Sequence, residues 1–82
     1  MKIRYYIYII KSKNDGKIYT GLTTNLYNRL KQHNSGISGY TKGKGAWDLI
    51  WYASFDTKEK AVAFEKYLKT GSGIAFARKR FL

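Results

Sequence analysis

The sequence predicts an α+β fold in which a small, mainly antiparallel β-sheet packs against helices. Residues 4–11 alternate in polarity and are rich in Tyr and Ile, a turn sequence follows, and residues 17–23 return as a second strand. A third strand-like run, residues 47–55, lies between two segments with helical periodicity, and a short last helix follows. The predicted order is therefore β-β-α-β-α-α, and the chain fits one domain over residues 1–82.

The turn of the hairpin determines which tyrosines lie together. An Asn-Asp-Gly sequence can reach the positive φ values that tight turns need. If Asp15–Gly16 are the two loop residues, Ser12 pairs with Tyr19, and Tyr8 pairs with Thr23. Successive side chains of a strand point to opposite faces, and a symmetric lengthening of the loop keeps the same parity. Tyr8 and Tyr19 are therefore expected on the same face of the sheet.

The first helix is predicted from capping and periodicity. Thr24 or Asn25 can cap a helix that runs to about Asn34. Leu26 and Leu30 form its apolar stripe, because residues four apart lie on one face of a helix. An adjacent stripe carries an Asn, an Arg and a His at the same spacing.

Two further helices are predicted after the third strand. Asp56 or Thr57 can cap a helix that ends near Lys69. A Thr-Gly-Ser-Gly sequence then interrupts the chain, and Ser72 can cap a last helix over residues 74–81. The same sequence could present backbone N–H groups to a phosphate, although a helix stop followed by a cap is the commoner structure.

Charge is the strongest signal in the composition. Sixteen Lys and Arg against five Asp and Glu give a formal net charge of +11. Such a surface attracts polyanions through long-range electrostatics and counterion release, and nucleic acid is the commonest partner. A basic protein without a nucleic-acid partner is the alternative. The few acids form no close pair, which argues against a two-metal nuclease built on clustered carboxylates.

The chain has no cysteine, which excludes a disulfide framework and a cysteine-based zinc site. This composition fits a reducing cytoplasm, where we expect the protein. The N-terminal apolar run, residues 5–10, is too short to span a membrane and has no small-residue cleavage pattern after it. We interpret it as a strand and not as a signal peptide.

A carboxylate in the second helix is the best single candidate for a metal ligand. On a helical wheel Ala61, Val62, Phe64 and Leu68 form the buried arc, and Glu65 falls between the first two. A lone carboxylate on an inward face is costly unless it is paired or bound to a metal. A Glu at the rim of the stripe, ion-paired with a nearby Lys, remains the alternative.

Four other side chains are candidates for phosphate chemistry. The guanidinium of Arg29 can bind phosphate oxygens in a fork and stabilise charge that develops during cleavage. His33, the single histidine, could transfer a proton or hold a phosphate near neutral pH. Tyr8 and Tyr19 could act as bases only if cations or a metal lowered their pKa. A solvated helix face for the first pair, and ordinary strand packing for the tyrosines, are the alternatives.

Several basic and aromatic side chains are candidates for nucleic-acid contacts. The Gly-rich segment at 35–46 is interpreted as a mobile loop that mixes an aromatic residue with cations, which suits backbone contact and base stacking. An ordinary solvated loop is the alternative. The candidate contacts are Lys17, Tyr40, Lys42, Lys44, Arg78, Lys79 and Arg80.

These residues together resemble a known family. The sequences "YIY" at 6–8 and "YTG" at 19–21, followed by Arg29, His33 and Glu65, resemble the GIY-YIG nuclease domain. The resemblance is closest to the small stand-alone bacterial members, covers essentially the whole chain, and depends on the order and spacing of the set.

The resemblance implies a three-stranded antiparallel sheet flanked by helices and metal-dependent hydrolysis of DNA phosphodiester bonds. It implies Tyr8 as the general base, or in some schemes the nucleophile, and Tyr19 as a group that positions the water or the phosphate. Arg29 would stabilise the transition state, and His33 would support the phosphate or a proton transfer. Glu65 would hold a single Mg²⁺ or Mn²⁺ ion, with water completing the coordination.

The sequence also departs from the family pattern. Leu22 stands where the repair-nuclease branch carries a Lys, so a cation near the phenols must come from elsewhere, and no Asn follows Asn34. Two alternatives to a nuclease therefore stay open. One is a non-catalytic nucleic-acid-binding module of the same fold, and the other is a basic interaction protein that recruits RNA or an acidic partner.

Overall fold

The computed structural model describes residues 3–35 and 46–80, and the structural statements below concern these residues. The element order and the α+β class are as predicted, with three strands and three helices. The elements are β1 (Tyr5–Ser12), β2 (Ile18–Thr23), α1 (Leu26–Ser35), β3 (Trp47–Phe55), α2 (Lys58–Leu68) and α3 (Gly71–Arg80).

Some predictions concern residues outside the described ranges. Most of the predicted basic loop at 35–46 lies there, and with it Tyr40, Lys42 and Lys44. The predicted end of the last helix at Phe81 lies there as well. Within the two described ranges, no helix is long and apolar enough to cross a membrane.

The sheet is antiparallel, with β1 in the centre between β2 and β3. The central strand is apolar on both faces because both faces are covered. On one face Ile7 and Ile9 pack in a core with residues of α2 and α3. On the other face Tyr8 and Ile10 form a second core with Trp47, against which α1 packs. Tyr8 therefore lies in the core under α1, where a phenol hydroxyl needs hydrogen-bond partners.

The hairpin loop is longer than the predicted two residues, so the predicted register is wrong. Tyr8 pairs with Gly21, and Ile10 pairs with Tyr19. The Ser12 N–H donates to the Lys17 carbonyl at 2.9 Å, which closes a four-residue loop. The loop widens because the Ser12 hydroxyl accepts backbone N–H groups within it, the nearer at 3.2 Å. The register moves by an even number of residues, so Tyr8 and Tyr19 still share a face, as predicted.

The caps of the first two helices follow the prediction. The Asn25 side-chain oxygen accepts the Asn28 N–H at 3.1 Å at the start of α1. The Thr57 hydroxyl accepts the Lys60 N–H at 3.2 Å at the start of α2. Of the two candidates named for each helix, the second is therefore the cap.

The start of the last helix was predicted wrongly. α3 begins at Gly71, and its first turn is capped by the Thr70 hydroxyl, which accepts the Gly73 N–H at 3.1 Å, and not by Ser72. The chain can turn this early because Gly73 lies directly against α2, where an added Cβ would be 2.6 Å from the Leu68 Cα. The Thr-Gly-Ser-Gly sequence thus serves close packing of two helices, which supports its structural interpretation.

Candidate active site

The hydroxyl of Tyr8 is the centre of a buried hydrogen-bond cluster. Tyr8 and His33 are both 0% exposed, and 2.8 Å separates the Tyr8 Oη from the His33 Nε2. The Arg29 Nε donates to the same oxygen at 3.3 Å. Arg29 and His33 reach one atom because they lie four residues apart on the face of α1 that packs on β1. Of the predicted polar stripe, His33 is therefore buried and Arg29 is half-buried against the sheet, so the alternative of a solvated helix face is wrong for His33.

Room for the Tyr8 ring comes from Gly21 in the neighbouring strand. A Cβ added at Gly21 would lie 2.5 Å from the Tyr8 Cζ and 2.9 Å from its Cε1. The ring therefore crosses the neighbouring strand at the one residue type that leaves space for it. This glycine belongs to the "YTG" motif, but the motif alone predicts no role for it. The available signal was a glycine inside a strand, which often marks a close approach to the backbone.

Aromatic rings enclose the cluster. The ring centroids of Tyr19 and His33 are 5.1 Å apart, and those of Tyr8 and Tyr19 are 6.3 Å apart. Trp47 lies on the other side of the histidine, at 6.4 Å, and its backbone N–H donates to the Asn34 side-chain oxygen at 2.7 Å. The Asn34 contact ties β3 to the end of α1 and so holds His33 in place. Neither residue was predicted from the sequence, since a Trp at the start of a strand and an Asn at the end of a helix do not by themselves indicate a functional site.

Burial determines the resting protonation of the cluster. Burial, and secondarily the charge of Arg29, lowers the pKa of His33 to about 4, so the imidazole is neutral at pH 7. Burial also raises the pKa of Tyr8 above its usual value of 10.0, although the hydrogen bond from Arg29 acts in the opposite direction. Because Arg29 can only donate, the arrangement that satisfies all three groups has the Tyr8 O–H donating to the His33 Nε2.

Arg29 links the two phenols and keeps part of its surface exposed. Its hydrogen bond to Tyr8, and to a lesser extent that to Tyr19, raises its pKa. Its Nη1 donates to the Gln32 side-chain oxygen at 2.9 Å. A guanidinium has five N–H donors, so these contacts orient it and still leave donors for a phosphate oxygen.

Glu65 lies on α2, on the side of the sheet away from α1. Its carboxylate is 3.4 Å from the Lys69 Nζ, one helical turn on, and its side chain is 23% exposed. This is the rim position with a Lys partner that the sequence left open as the alternative. Burial is the main cause of the raised pKa of Tyr8, and the charge of Glu65 makes a smaller contribution in the same direction. Within the described part of the chain, Glu65 has no hydrogen bond to Tyr8, Arg29 or His33.

Glu65 is the candidate ligand for a single divalent cation. Among residues 3–35 and 46–80, no cluster of three His, Asp or Glu side chains could hold a metal by itself. Mg²⁺ is usually held by one or two carboxylates, waters and substrate phosphates, so one accessible carboxylate is enough. An exposed ion pair such as that of Glu65 and Lys69 contributes little to stability, so the carboxylate can change partners at small cost.

The remaining candidates lie on the surface. Lys17 is exposed beside the hairpin loop. Arg78, Lys79 and Arg80 are exposed in the last turn of α3, and this helix packs on the side of the sheet opposite to Tyr8. The structure therefore brings Tyr8, Tyr19, Arg29 and His33 together, and these four cations remain separate from them.

Comparison with known proteins shows which family this chain is similar to. A family model described as the GIY-YIG catalytic domain matches residues 4–74. The chain is 43% identical over 65 residues to the UPF0213 protein CPE1444 of Clostridium perfringens, covering 78% of this chain and 69% of that protein. It is 40% identical over 70 residues to the UPF0213 protein SSP2268 of Staphylococcus saprophyticus, covering 84% of each.

A solved structure is similar as well. The solution NMR structure of the UPF0213 protein BH0048 from Bacillus halodurans has a TM-score of 0.51 and 40% identity, covering 82% of this chain and 71% of that one. The matched range of the family model includes the buried cluster and Glu65, and the relatives named above are small bacterial proteins. The resemblance stated from the sequence is therefore confirmed, and the chain belongs to the GIY-YIG catalytic domain family.

Proposed function

We propose that the protein is a metal-dependent endonuclease that hydrolyses DNA phosphodiester bonds. The observation that carries the proposal is the Tyr8 hydroxyl, which is buried between a neutral histidine and an arginine. A nucleic-acid-binding module needs no such cluster, because phosphate contacts are made as well by exposed cations. The net charge of +11 supports the polyanionic substrate.

Arg29 stabilises the transition state. Its contacts with Tyr8 and Gln32 fix the guanidinium before the substrate arrives, so its remaining donors meet the phosphate oxygens with little reorganisation. Charge on these oxygens increases as water attacks, and a donor that is already in place gains strength as it does so. Tyr19, whose ring lies beside Tyr8 and His33, positions the attacking water.

Tyr8 transfers the proton and does not need to be ionised beforehand. Its pKa is raised, so the phenol is protonated at pH 7. Because Tyr8 is 0% exposed, the bound substrate must first displace the side chains that cover its hydroxyl. As the water oxygen then bonds to phosphorus, the water gives a proton to the Tyr8 oxygen, and the Tyr8 proton moves to the His33 Nε2. A bound phosphate raises the pKa of His33 from about 4, because its negative charge favours the imidazolium. The bond from phosphorus to the leaving oxygen breaks, and this oxygen takes a proton from solvent.

Glu65 would hold the Mg²⁺ or Mn²⁺ ion. The bound ion would neutralise phosphate charge and stabilise the leaving oxygen. Lys17 and the basic end of α3, Arg78 to Arg80, are proposed as contacts with the DNA backbone, together with the three candidates outside the described residues. Such contacts strengthen binding without selecting a sequence, so we expect affinity to fall steeply with salt.

Nicking of supercoiled plasmid tests the proposal. The protein is incubated with Mg²⁺, Mn²⁺ or EDTA beside two variants, Glu65→Gln and the matched control Glu59→Gln, which changes an exposed carboxylate of the same helix. We expect nicking that depends on metal, is lost in Glu65→Gln and is kept in Glu59→Gln. Nicking that is equal in both variants would assign the activity to a contaminant or remove Glu65 from the mechanism.

Two other outcomes would favour the alternatives. Salt-dependent DNA binding without cleavage in any metal would favour a non-catalytic nucleic-acid-binding module. The ion pair of Glu65 with Lys69 is the observation most compatible with that function. No DNA binding even at low salt would favour the interaction protein, because electrostatic attraction is strongest there.

A further inference from the structure

A groove of about 470 Å³ lies beside the Tyr8 cluster, between the first turns of α1 and the exposed end of the sheet. We call it the aromatic groove. We propose that it binds an unpaired nucleobase next to the scissile phosphate, so that the protein prefers DNA in which this base is not in a duplex. This inference rests on the proposed function only in placing the cleaved phosphate at Arg29. The groove is lined chiefly by Tyr6, Asn25, Leu26, Tyr27, Leu30 and Tyr52.

The groove adjoins the candidate active site. Tyr52 in β3 pairs directly with Tyr8 in β1. Tyr6 lies in β1 two residues before Tyr8, on the same face of the sheet and about 7 Å from it along the strand. Leu26 and Leu30 are shared, since they pack against the Tyr8 core and also line the groove. A nucleotide whose phosphate lies at the Tyr8 cluster therefore has its neighbour at the mouth of the groove.

The rings of the groove are exposed in a way that suits stacking. Tyr27 is 72% exposed and Tyr52 is 52% exposed, although large aromatic side chains usually bury most of their area. The rings of Tyr6 and Tyr52 are tilted by 59° with centroids 6.2 Å apart, so they form two walls and do not stack on each other. A planar base can lie against either wall, and a phenol also supplies a hydroxyl for its edge.

Charge on both sides of the groove selects a nucleotide over an apolar ligand. Lys31 lies over the Tyr27 ring, with its Nζ 5.7 Å from the centroid. Arg4 lies at the other end, where its guanidinium donates to the Ser54 hydroxyl at 2.9 Å. With Arg29, these cations place positive charge on the path that a sugar-phosphate backbone would follow past the groove. A base inside a duplex has both faces stacked, so only an unpaired base can enter.

Binding of 2-aminopurine DNA in EDTA tests this inference without any cleavage. The probe is a short single strand with 2-aminopurine at its centre, compared with the same strand in a duplex. We expect tighter binding of the single strand and quenching of its fluorescence by stacking. Tyr52→Ala should weaken single-strand binding about 5- to 100-fold and abolish the quenching, while Tyr52→Phe keeps both, because stacking needs only the ring.

Two variants keep the result interpretable. Tyr67→Ala removes an aromatic side chain of similar exposure, 41%, on α2, and should change neither affinity nor quenching. Tyr27→Ala removes a groove ring from α1 and should act as Tyr52→Ala does, which separates loss of the groove from damage to β3. Equal affinity for single strand and duplex in the wild type, or an equal loss in Tyr67→Ala, would overturn the inference.

The outcome is independent of the nuclease proposal. Quenching in a protein that nicks no plasmid in any metal would retain the groove and reject the nuclease. Metal-dependent nicking without quenching or strand preference would retain the nuclease and reject the groove.

Discussion

Replacing Gly21 by Ala adds one methyl group beside the buried ring of Tyr8. The new Cβ would lie 2.5 Å from the Tyr8 Cζ, well inside van der Waals contact. The ring cannot move aside into solvent, because Tyr8 is 0% exposed and its hydroxyl is hydrogen-bonded to His33 and Arg29. Relief therefore requires that the ring move and that those hydrogen bonds lengthen or break.

The magnitude follows from these two costs. Overpacking a core by one methyl group and leaving buried polar groups poorly bonded together lower the free energy of unfolding by about 2–4 kcal/mol. For a domain of this size, that is a fall in the melting temperature of about 10–25 °C. A displacement of the Tyr8 oxygen by roughly 1 Å also lowers the cleavage rate about 100-fold, because proton transfer needs the productive geometry.

Thermal unfolding followed by circular dichroism, and plasmid nicking below the transition, measure both effects. Gly71→Ala is the matched control, since nothing within the described residues lies within 4 Å of a Cβ built there. It should leave the melting temperature unchanged or raise it slightly, because Ala favours the helix that begins at Gly71. Equal melting temperatures and equal cleavage rates in the two variants would refute the packing of Tyr8 against Gly21.

Four further predictions concern the site. Because the pKa of His33 is about 4 in the folded state and 6.5 when unfolded, falling pH protonates the unfolded chain first. Urea unfolding should therefore show a loss of about 3 kcal/mol between pH 6.5 and 4 that is absent in His33→Gln; an identical pH dependence in both would contradict it. Tyr8→Phe should lower cleavage at least about 100-fold with DNA affinity kept, which rate and anisotropy measurements can separate. Arg29→Ala should lower kcat about 100- to 1000-fold and affinity far less, and equal losses would contradict its transition-state role. Removing divalent metal with EDTA should stop cleavage reversibly, with activity restored by added Mg²⁺ and not by buffer without divalent metal.

Strand parity was predictable from the sequence, and the details that depend on side-chain hydrogen bonds were not. A shared face for Tyr8 and Tyr19 follows from counting residues along the two strands. It holds for every register that differs from the predicted one by an even number of residues. The register depended on the Ser12 hydroxyl, which accepts N–H groups inside the turn. The start of α3 depended on Thr70, whose hydroxyl competes with that of Ser72 for the capping position. Several residues near each turn can cap, and the sequence does not rank them.

The burial of His33 and the partial burial of Arg29 were likewise not predictable from the sequence. An Arg and a His four residues apart on a helix are typical of a solvated face, and α1 carries its obvious apolar stripe elsewhere. His33 is buried in part by the next element of the chain: β3 brings Trp47 against it, and Asn34 holds that strand to the helix. Such a contact between distant segments leaves no local pattern. The candidate site was predicted only because the order and spacing of its residues resemble a known family, whose members share a fold that brings these positions together.

The structure shows that Leu22 takes no part in the surroundings of the Tyr8 hydroxyl. Residue 22 pairs with Ile7, so its side chain packs in the core on the face opposite to Tyr8, where a leucine is stabilising. The cation beside the phenol is instead Arg29, whose Nε lies 3.3 Å from the hydroxyl. Burial still outweighs this cation, since the pKa of Tyr8 is raised and not lowered. The phenol is therefore not ionised at rest, and in the proposed mechanism His33 must accept the Tyr8 proton, so we propose that the tyrosine and the histidine act as one proton-transfer unit.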